Sequence, residues 1–364
     1  MNEQWIALLG RCDKPTDAVE DYCKFLGEAL GKHGIDLRLE RVEWNADGWP
    51  AALRELRQRS AAWRDRWVLV QYTALAWSGR GFPRRFVKVL RTLDAAGARV
   101  GVVFHDVEPY SGERVIDELR RRLQIHTMRR ALELADAAIL TVPPEKISWG
   151  PRQLEKVRFI PVGANLPVES DLVDHAAGGQ TKVLTVAVFG ITGGAAGEQE
   201  TGEILSALQH AAQRVGAFRL SVFGRHAEER DTALREGLRD VAVEVSVEGL
   251  LDGRQVVEKL RASDVLLFVR GGISTRRSSA IAGIACGLPL IARAGSETAP
   301  PITEAGVAFY SNEYNNELGL VLMRVLEDAD YRATLAAKSR RAYQEHFSWS
   351  AIAKKYVDAL RLGV

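Results

Sequence analysis

Short apolar runs alternate with longer amphipathic ones along most of this chain. Residues 5–9, 67–72, 99–104, 137–142 and 157–161 read as strands buried on both faces, and residues 35–42 alternate like a further strand. Between them, residues 17–32 repeat Val19, Tyr22, Cys23, Leu26 and Leu30 at helical spacing behind Thr16, the expected N-cap. Further helices are expected over residues 86–95 and 112–135. Residues 168–181 are polar, glycine-containing and aperiodic, which predicts a linker. A second alternation follows, with strands over 183–189, 218–223, 241–247, 264–269, 289–292 and 306–310. Its helices are expected over 200–216, 254–262, 316–327 and 329–345, with a last one over 350–360. Strand followed by helix, repeated in both halves, predicts two doubly wound α/β sheets facing across a cleft lined by strand carboxyl ends.

Composition changes this picture little. At 364 residues the chain suits two domains of medium size. Its 49 basic and 47 acidic residues leave a net charge of +2, so no global field selects nucleic acid. Cys12, Cys23 and Cys286 lack metal-ligand spacing and fit a reducing compartment. The first residues lack the basic segment and long apolar run of a signal peptide, and no stretch reaches the length of a membrane span. A cytoplasmic protein is expected.

The densest chemistry lies over residues 270–292, RGGISTRRSSAIAGIACGLPLIA. An apolar strand ends in a glycine turn, then come Ser274, Thr275, Arg276, Arg277 and Ser278, then a small-residue helix stopped by Gly287 and Pro289. Unpaired N–H groups, a helix start and two guanidinium forks at one place suit a diphosphate. Gly272, Ser274, Thr275, Arg276, Arg277 and Ser278 are therefore the expected diphosphate ligands, with Arg276 and Arg277 foremost. The loop from Gly190 through Thr192 and Gly193 allows close backbone approach to the same ligand. His105-Asp106 ends a strand of the first half, with Glu108 nearby. Residues 113–130 carry Arg114, Arg120, Arg121, Arg122, Arg129 and Arg130, a basic face suited to anionic lipid at the inner side of a membrane.

The layout resembles glycosyltransferases of the GT-B fold, family 4-like. The resemblance rests on residues 160–165 (IPVGAN), residues 265–289 with Ala285-Cys286-Gly287-Leu288-Pro289, His105-Asp106, and the terminal segment 346–353 (HFSWSAIA). It implies an acceptor domain over residues 1–170, a nucleotide-sugar domain over 182–345, and a terminal helix over 346–364 crossing back to the first. It also implies transfer from a nucleoside-diphosphate sugar to a glycan, lipid-linked or small-molecule acceptor, with retention, in polysaccharide biosynthesis. No cofactor or metal is expected; no Asp-x-Asp motif lies in the cleft loops. By the same likeness His105 lies near the transferred sugar, with Asp106 orienting it or serving an acceptor hydroxyl. Tyr72, Arg80 and residues 11–16 would face the acceptor, and Arg225 and Leu250 the base and ribose.

Two departures stand out. The family's paired glutamates fall on Ser274 and Ala282, and its diphosphate-binding Arg and Lys fall in residues 190–198, which hold no cation. Arg276 and Arg277 are expected to replace the lost charge, and a Gly-x-Ser-x-Arg-Arg subset of bacterial sugar transferases resembles this loop. A sugar-nucleotide 2-epimerase of the same fold, or a non-catalytic scaffold whose donor site has decayed, are the competing readings.

Overall fold

The apolar runs pair side by side in parallel, which buries both their faces and leaves their carboxyl ends, with the loops that follow, along one edge. The computed structural model describes residues 3–14, 16–110, 112–150, 154–168, 183–311 and 316–361. In chain order these form β1 (Glu3–Leu9), α1 (Ala18–Gly31), β2 (Ile35–Arg41), α2 (Trp44–Ser60), β3 (Trp67–Tyr72), α3 (Phe86–Ala95), β4 (Arg99–Phe104), α4 (Val115–Leu134), β5 (Ala137–Leu140) and β6 (Val157–Phe159). The second alternation gives β7 (Thr185–Phe189), α5 (Gly194–Val215), β8 (Phe218–Phe223), α6 (Asp231–Gly237), β9 (Val243–Glu248), α7 (Gly253–Arg261), β10 (Val265–Ile273), α8 (Ser278–Ala285), β11 (Leu290–Ala294) and β12 (Val307–Tyr310). Helices α9 (Glu317–Glu327), α10 (Ala329–Ala342) and α11 (Trp349–Arg361) complete the chain.

Two units result, one of residues Met1–Val162 with Trp349–Val364, the other of Gly163–Ser348. The first holds a sheet of order β2-β1-β3-β4-β5-β6, the second one of order β12-β11-β10-β7-β8-β9. All strand pairs are parallel. Ile6, Val68, Val102 and Leu140 sit in the core of the first unit; Val186, Leu220, Leu267 and Ile291 do so in the second. In the first unit α11 packs on α1: the Tyr22 and Tyr356 hydroxyls meet at 2.8 Å in a buried pair, and Trp67 Nε1 donates to Leu360 O. No helix among the described residues is long and apolar enough to cross a membrane.

Several local expectations are corrected. Asp17, not Thr16, caps α1, its carboxylate accepting from the amides of Val19 and Glu20. The carboxylate also adds a negative charge at the positive end of the helix dipole. Helix α2 carries little apolar periodicity and is kinked at Gly48 (φ +75°), with Pro50 beside it, so the sequence pattern hides it. The short α6 is likewise unexpected. Helix α5 starts at Gly194 and not near residue 200, because Gly194 and Gly197, glycines of weak helix propensity, are held there by tertiary contacts. A Cβ on Gly197 would lie 1.8 Å from Thr192 O, so only glycine lets the first turn press against the preceding loop. Strand β10 does not stop at Val269; it bulges past Phe268 and pairs Gly272 and Ile273 with β11. All but Val168 of the expected linker lies outside the described residues.

Candidate functional site

In the second unit the winding reverses between β7 and β10, and the loops after them diverge at their carboxyl ends. The loop after β7 is pinned from below. Thr192 donates from its amide and hydroxyl to the two oxygens of Glu200, at 2.7 and 2.6 Å, and Arg230 Nη2 donates to Gly194 O at 3.0 Å. Both contacts fix the chain just where α5 presents its unpaired amides. Those free amides and the helix dipole favour an anion. The loop after β8 closes the same edge: Ile191 N donates to Arg225 O at 3.0 Å, and Gly193 faces the His226 ring.

Charge gathers here from the other side. Arg270, in the extended part of β10, brings Nη1 to 3.4 Å from where a Cβ on Gly190 would stand. Arg277 stands at the start of α8. The Nε atoms of Arg270 and Arg277 are buried and have no hydrogen-bond partner among the described residues. Burial lowers both pKa values; Arg276 and Arg270 lower that of Arg277 further, and Arg225 that of Arg270. Guanidiniums remain charged at any working pH, so the lowering records unrelieved desolvation and repulsion. Three arginines therefore crowd the carboxyl edge between β7 and β10, a cradle for a multiply charged anion.

Arg276 is placed differently from its neighbour. Its Nε and Nη2 both donate to Glu297 at 2.7 Å, and Ser274 Oγ donates to the same carboxylate at 3.0 Å. Burial acts to raise the Glu297 pKa, but the Arg276 fork and the Ser274 hydroxyl overcome it and hold it below the ordinary value. Ser274 and Thr275 are fully buried. Gly272 faces backbone: a Cβ there would come within 2.6 Å of Gly295 Cα. Ser278 opens α8. Leu250 lies outermost, 54% exposed. The structure thus gathers Gly190, Thr192, Gly193, Arg225 and Arg277 at one edge and sets Ser274 and Arg276 in a buried cluster with Glu297. Sequence reasoning passed over Arg270, Glu200 and Glu297. A charge straight after an apolar strand marked Arg270; no spacing signalled Glu297, which arrives from the loop after β11.

The first unit reverses its winding between β1 and β3, where a pocket of about 220 Å³ is lined by Arg11, Asp13, Asp17, Gln71, Thr73 and Asp106 among others. His105 borders this edge. Its Nε2 is 2.8 Å from Gln71 Oε1, and Tyr22 meets its ring edge-on at 4.9 Å. Burial lowers its pKa to about 4, so the ring is neutral, and the carbonyl oxygen of Gln71 selects the tautomer protonated on Nε2. Gln71, absent from the sequence expectations, orients His105; Asp106 accepts from Ala74 N at 2.8 Å. Glu108 accepts from the amide and hydroxyl of Ser148. Tyr72 does not face the pocket edge as expected: it is buried against Phe86 and Phe104. Arg80 is exposed, and its carbonyl accepts from Arg120. Cys12, Asp17 and Glu20 bring potential ligand atoms together, but Arg41 donates to both carboxylates, at 3.3 and 2.6 Å.

No protein-family profile matches the sequence, and no curated protein matches it. Solved structures do. A glycosyltransferase from Rickettsia africae superposes with a TM-score of 0.70 at 11% identity, over 100% of this chain and 98% of that one. Sucrose-phosphate synthase from Thermosynechococcus elongatus gives 0.68 at 18%, over 99% of both chains. The Anabaena protein HepE, solved with UDP and glucose, gives 0.64 at 14%, over 99% and 100%. At such identities the likeness establishes the fold, which is that of the GT-B glycosyltransferases.

Proposed function

We propose that this chain, with its GT-B fold, transfers a sugar from a nucleoside-diphosphate sugar to a glycan, lipid-linked or small-molecule acceptor. One observation carries the reading: two half-buried arginines, Arg270 and Arg277, whose buried Nε atoms have no hydrogen-bond partner among the described residues, at the winding reversal of the second unit, beside the start of α5. Glycosyl transfer breaks the anomeric C–O bond and leaves negative charge on the nucleotide's terminal phosphate. Fixed cations and amide dipoles stabilise that charge as it develops. Guanidinium charge takes the part that a metal ion would otherwise play, so the proposed reaction needs none. The pocket of the first unit, with His105 neutral beside it, offers hydrogen-bonding groups for an acceptor hydroxyl.

A calorimetric titration tests this. HepE was solved with UDP, so UDP leads a panel with GDP, ADP and dTDP. Each charge-assisted hydrogen bond is worth about 1.5–3 kcal/mol, so Arg270→Ala and Arg277→Ala should each weaken nucleotide binding about 10-fold to 100-fold. Unchanged affinity in both variants removes the assignment. Incubating the nucleotide sugar without acceptor separates transfer from epimerisation, since an epimerase yields an altered sugar nucleotide.

Contact of the first unit with a membrane is also proposed. The first turns of α4 expose Val115 (91%), Ile116 and Leu119 beside exposed Arg114, Arg121 and Arg122, the last two sharing Glu118. Apolar side chains rimmed by cations suit the surface of an anionic bilayer. Val115→Asp/Leu119→Asp should abolish sedimentation with phosphatidylglycerol vesicles; retention in the pellet overturns the contact.

A further inference from the structure

Helices α2 and α3 lie side by side on the first unit, and the groove between the second half of α2 and the length of α3 carries charge of one sign. Along α2 and the 3-10 turn Ala61–Trp63 that continues it, Leu53, Arg57, Ala61 and Arg64 recur at helical spacing. Along α3, Lys88, Arg91 and Ala95 do the same. The two stripes line a groove of about 690 Å³, with Arg57 and Arg64 on one wall, Lys88 and Arg91 on the other, and Leu53, Ala61 and Ala95 between them. No carboxylate lines it among the described residues.

Elsewhere on the surface many cations have an acidic neighbour, as Arg59 has Glu40, Arg122 has Glu118, Arg219 has Glu244 and Arg235 has Asp231; here four cations line one concavity with no carboxylate among the lining residues. None of the four groove cations has an ion pair or a side-chain hydrogen bond among the described residues. Like charges around one concavity repel and raise the energy of the folded state unless an anion occupies it. None of the residues that line the groove lines the pocket at the carboxyl edge of the same unit, where Asp106 lies.

We infer that this groove is an exosite for an anionic glycan chain, a strand of sugars bearing carboxylate or phosphate groups that the enzyme extends or decorates. The inference rests on the transferase reading for the glycan and on the groove for its charge. A flat bilayer meets only the rim of a concavity. Single-stranded nucleic acid is gripped through stacking on aromatic rings, and the lining has none. A glycan chain needs neither: its acidic groups meet the four cations, and the apolar faces of its rings rest on Leu53 and the alanines. Held there, the chain raises the effective concentration of its own end near the reaction site.

Polygalacturonate, with one carboxylate per sugar, is the probe, and neutral dextran of matched length the control. The full chain should bind polygalacturonate in a fluorescence-anisotropy titration, more weakly as salt rises, and should not bind dextran. Arg57→Ser/Arg91→Ser should lose at least about 10-fold in affinity, and so should Arg64→Ser/Lys88→Ser, a second pair in case the first folds poorly. All four positions are exposed, and the rise in melting temperature with UDP should survive in both variants. Equal binding by the variants, equal binding of dextran, or no binding by the wild type overturns the exosite. So does tighter binding of oligo-dT or phosphatidylglycerol vesicles that the same substitutions abolish. A chain that binds polygalacturonate but shows no response to any nucleotide keeps the groove and loses the transferase reading.

Discussion

His105 and Glu297 respond to acid through opposite chemistry with the same sign. His105 is held neutral by burial, with its pKa lowered from 6.5 to about 4. The unfolded chain binds its proton first as pH falls, so stability drops between about pH 6.5 and 4, by about 3 kcal/mol in full. Urea unfolding of wild type and His105→Gln at pH 7 and 4.5 checks this; the variant should lose less stability on acidification. Glu297 has a depressed pKa, so its contribution is complete above the ordinary value of 4.5 and fades as pH falls below that. Glu297→Gln at neutral pH leaves Arg276 without its counter-charge and should cost about 3 kcal/mol, as for a broken buried pair. Its Tm should then fall less than the wild type's as pH drops through the carboxylate range. Residue types were legible in the sequence here, partners were not. Nothing within residues 270–278 says that Arg276 is paired and Arg277 is not, because the deciding carboxylate lies in another loop.

At the scale of elements, the junction of β7 and α5 carries most of the donor-side geometry. Gly197 lies under Thr192 O, and Thr192 in turn is held by Glu200. Gly197→Ala must push the loop and the helix apart. The expected cost is about 1–3 kcal/mol of stability, as for an overpacked site, and a UDP affinity at least about 10-fold weaker, read by calorimetry. A Gly202→Ala control, on the same helix with open space at its Cβ, should leave the affinity nearly unchanged and raise stability by about 0.5–1 kcal/mol. The apolar strands and the amphipathic α1 announce themselves because each buries a face at its own period. Helix α2, rich in arginine and broken by Gly48 and Pro50, and the glycine-rich start of α5 do not, since contacts remote in sequence hold them in place.

Over the whole molecule, α11 belongs to the unit that begins the chain rather than the one that precedes it. Tyr356→Phe leaves the buried Tyr22 hydroxyl without its partner and should lower the stability of the first unit by about 1–3 kcal/mol. Scanning calorimetry should show that unit's transition shifting while the transition of residues 163–348 stays in place; a common shift would contradict the division. By itself the sequence determined the two α/β sheets and the stretch where an anion is to be sought, because burial periodicity and loop composition are local properties. Only the tertiary structure decided which arginines are left to meet that anion, that Gln71 rather than Asp106 aligns His105, and that Tyr72 is core. Each of those outcomes depends on groups from separate elements arriving within hydrogen-bond or packing distance, which no local pattern encodes.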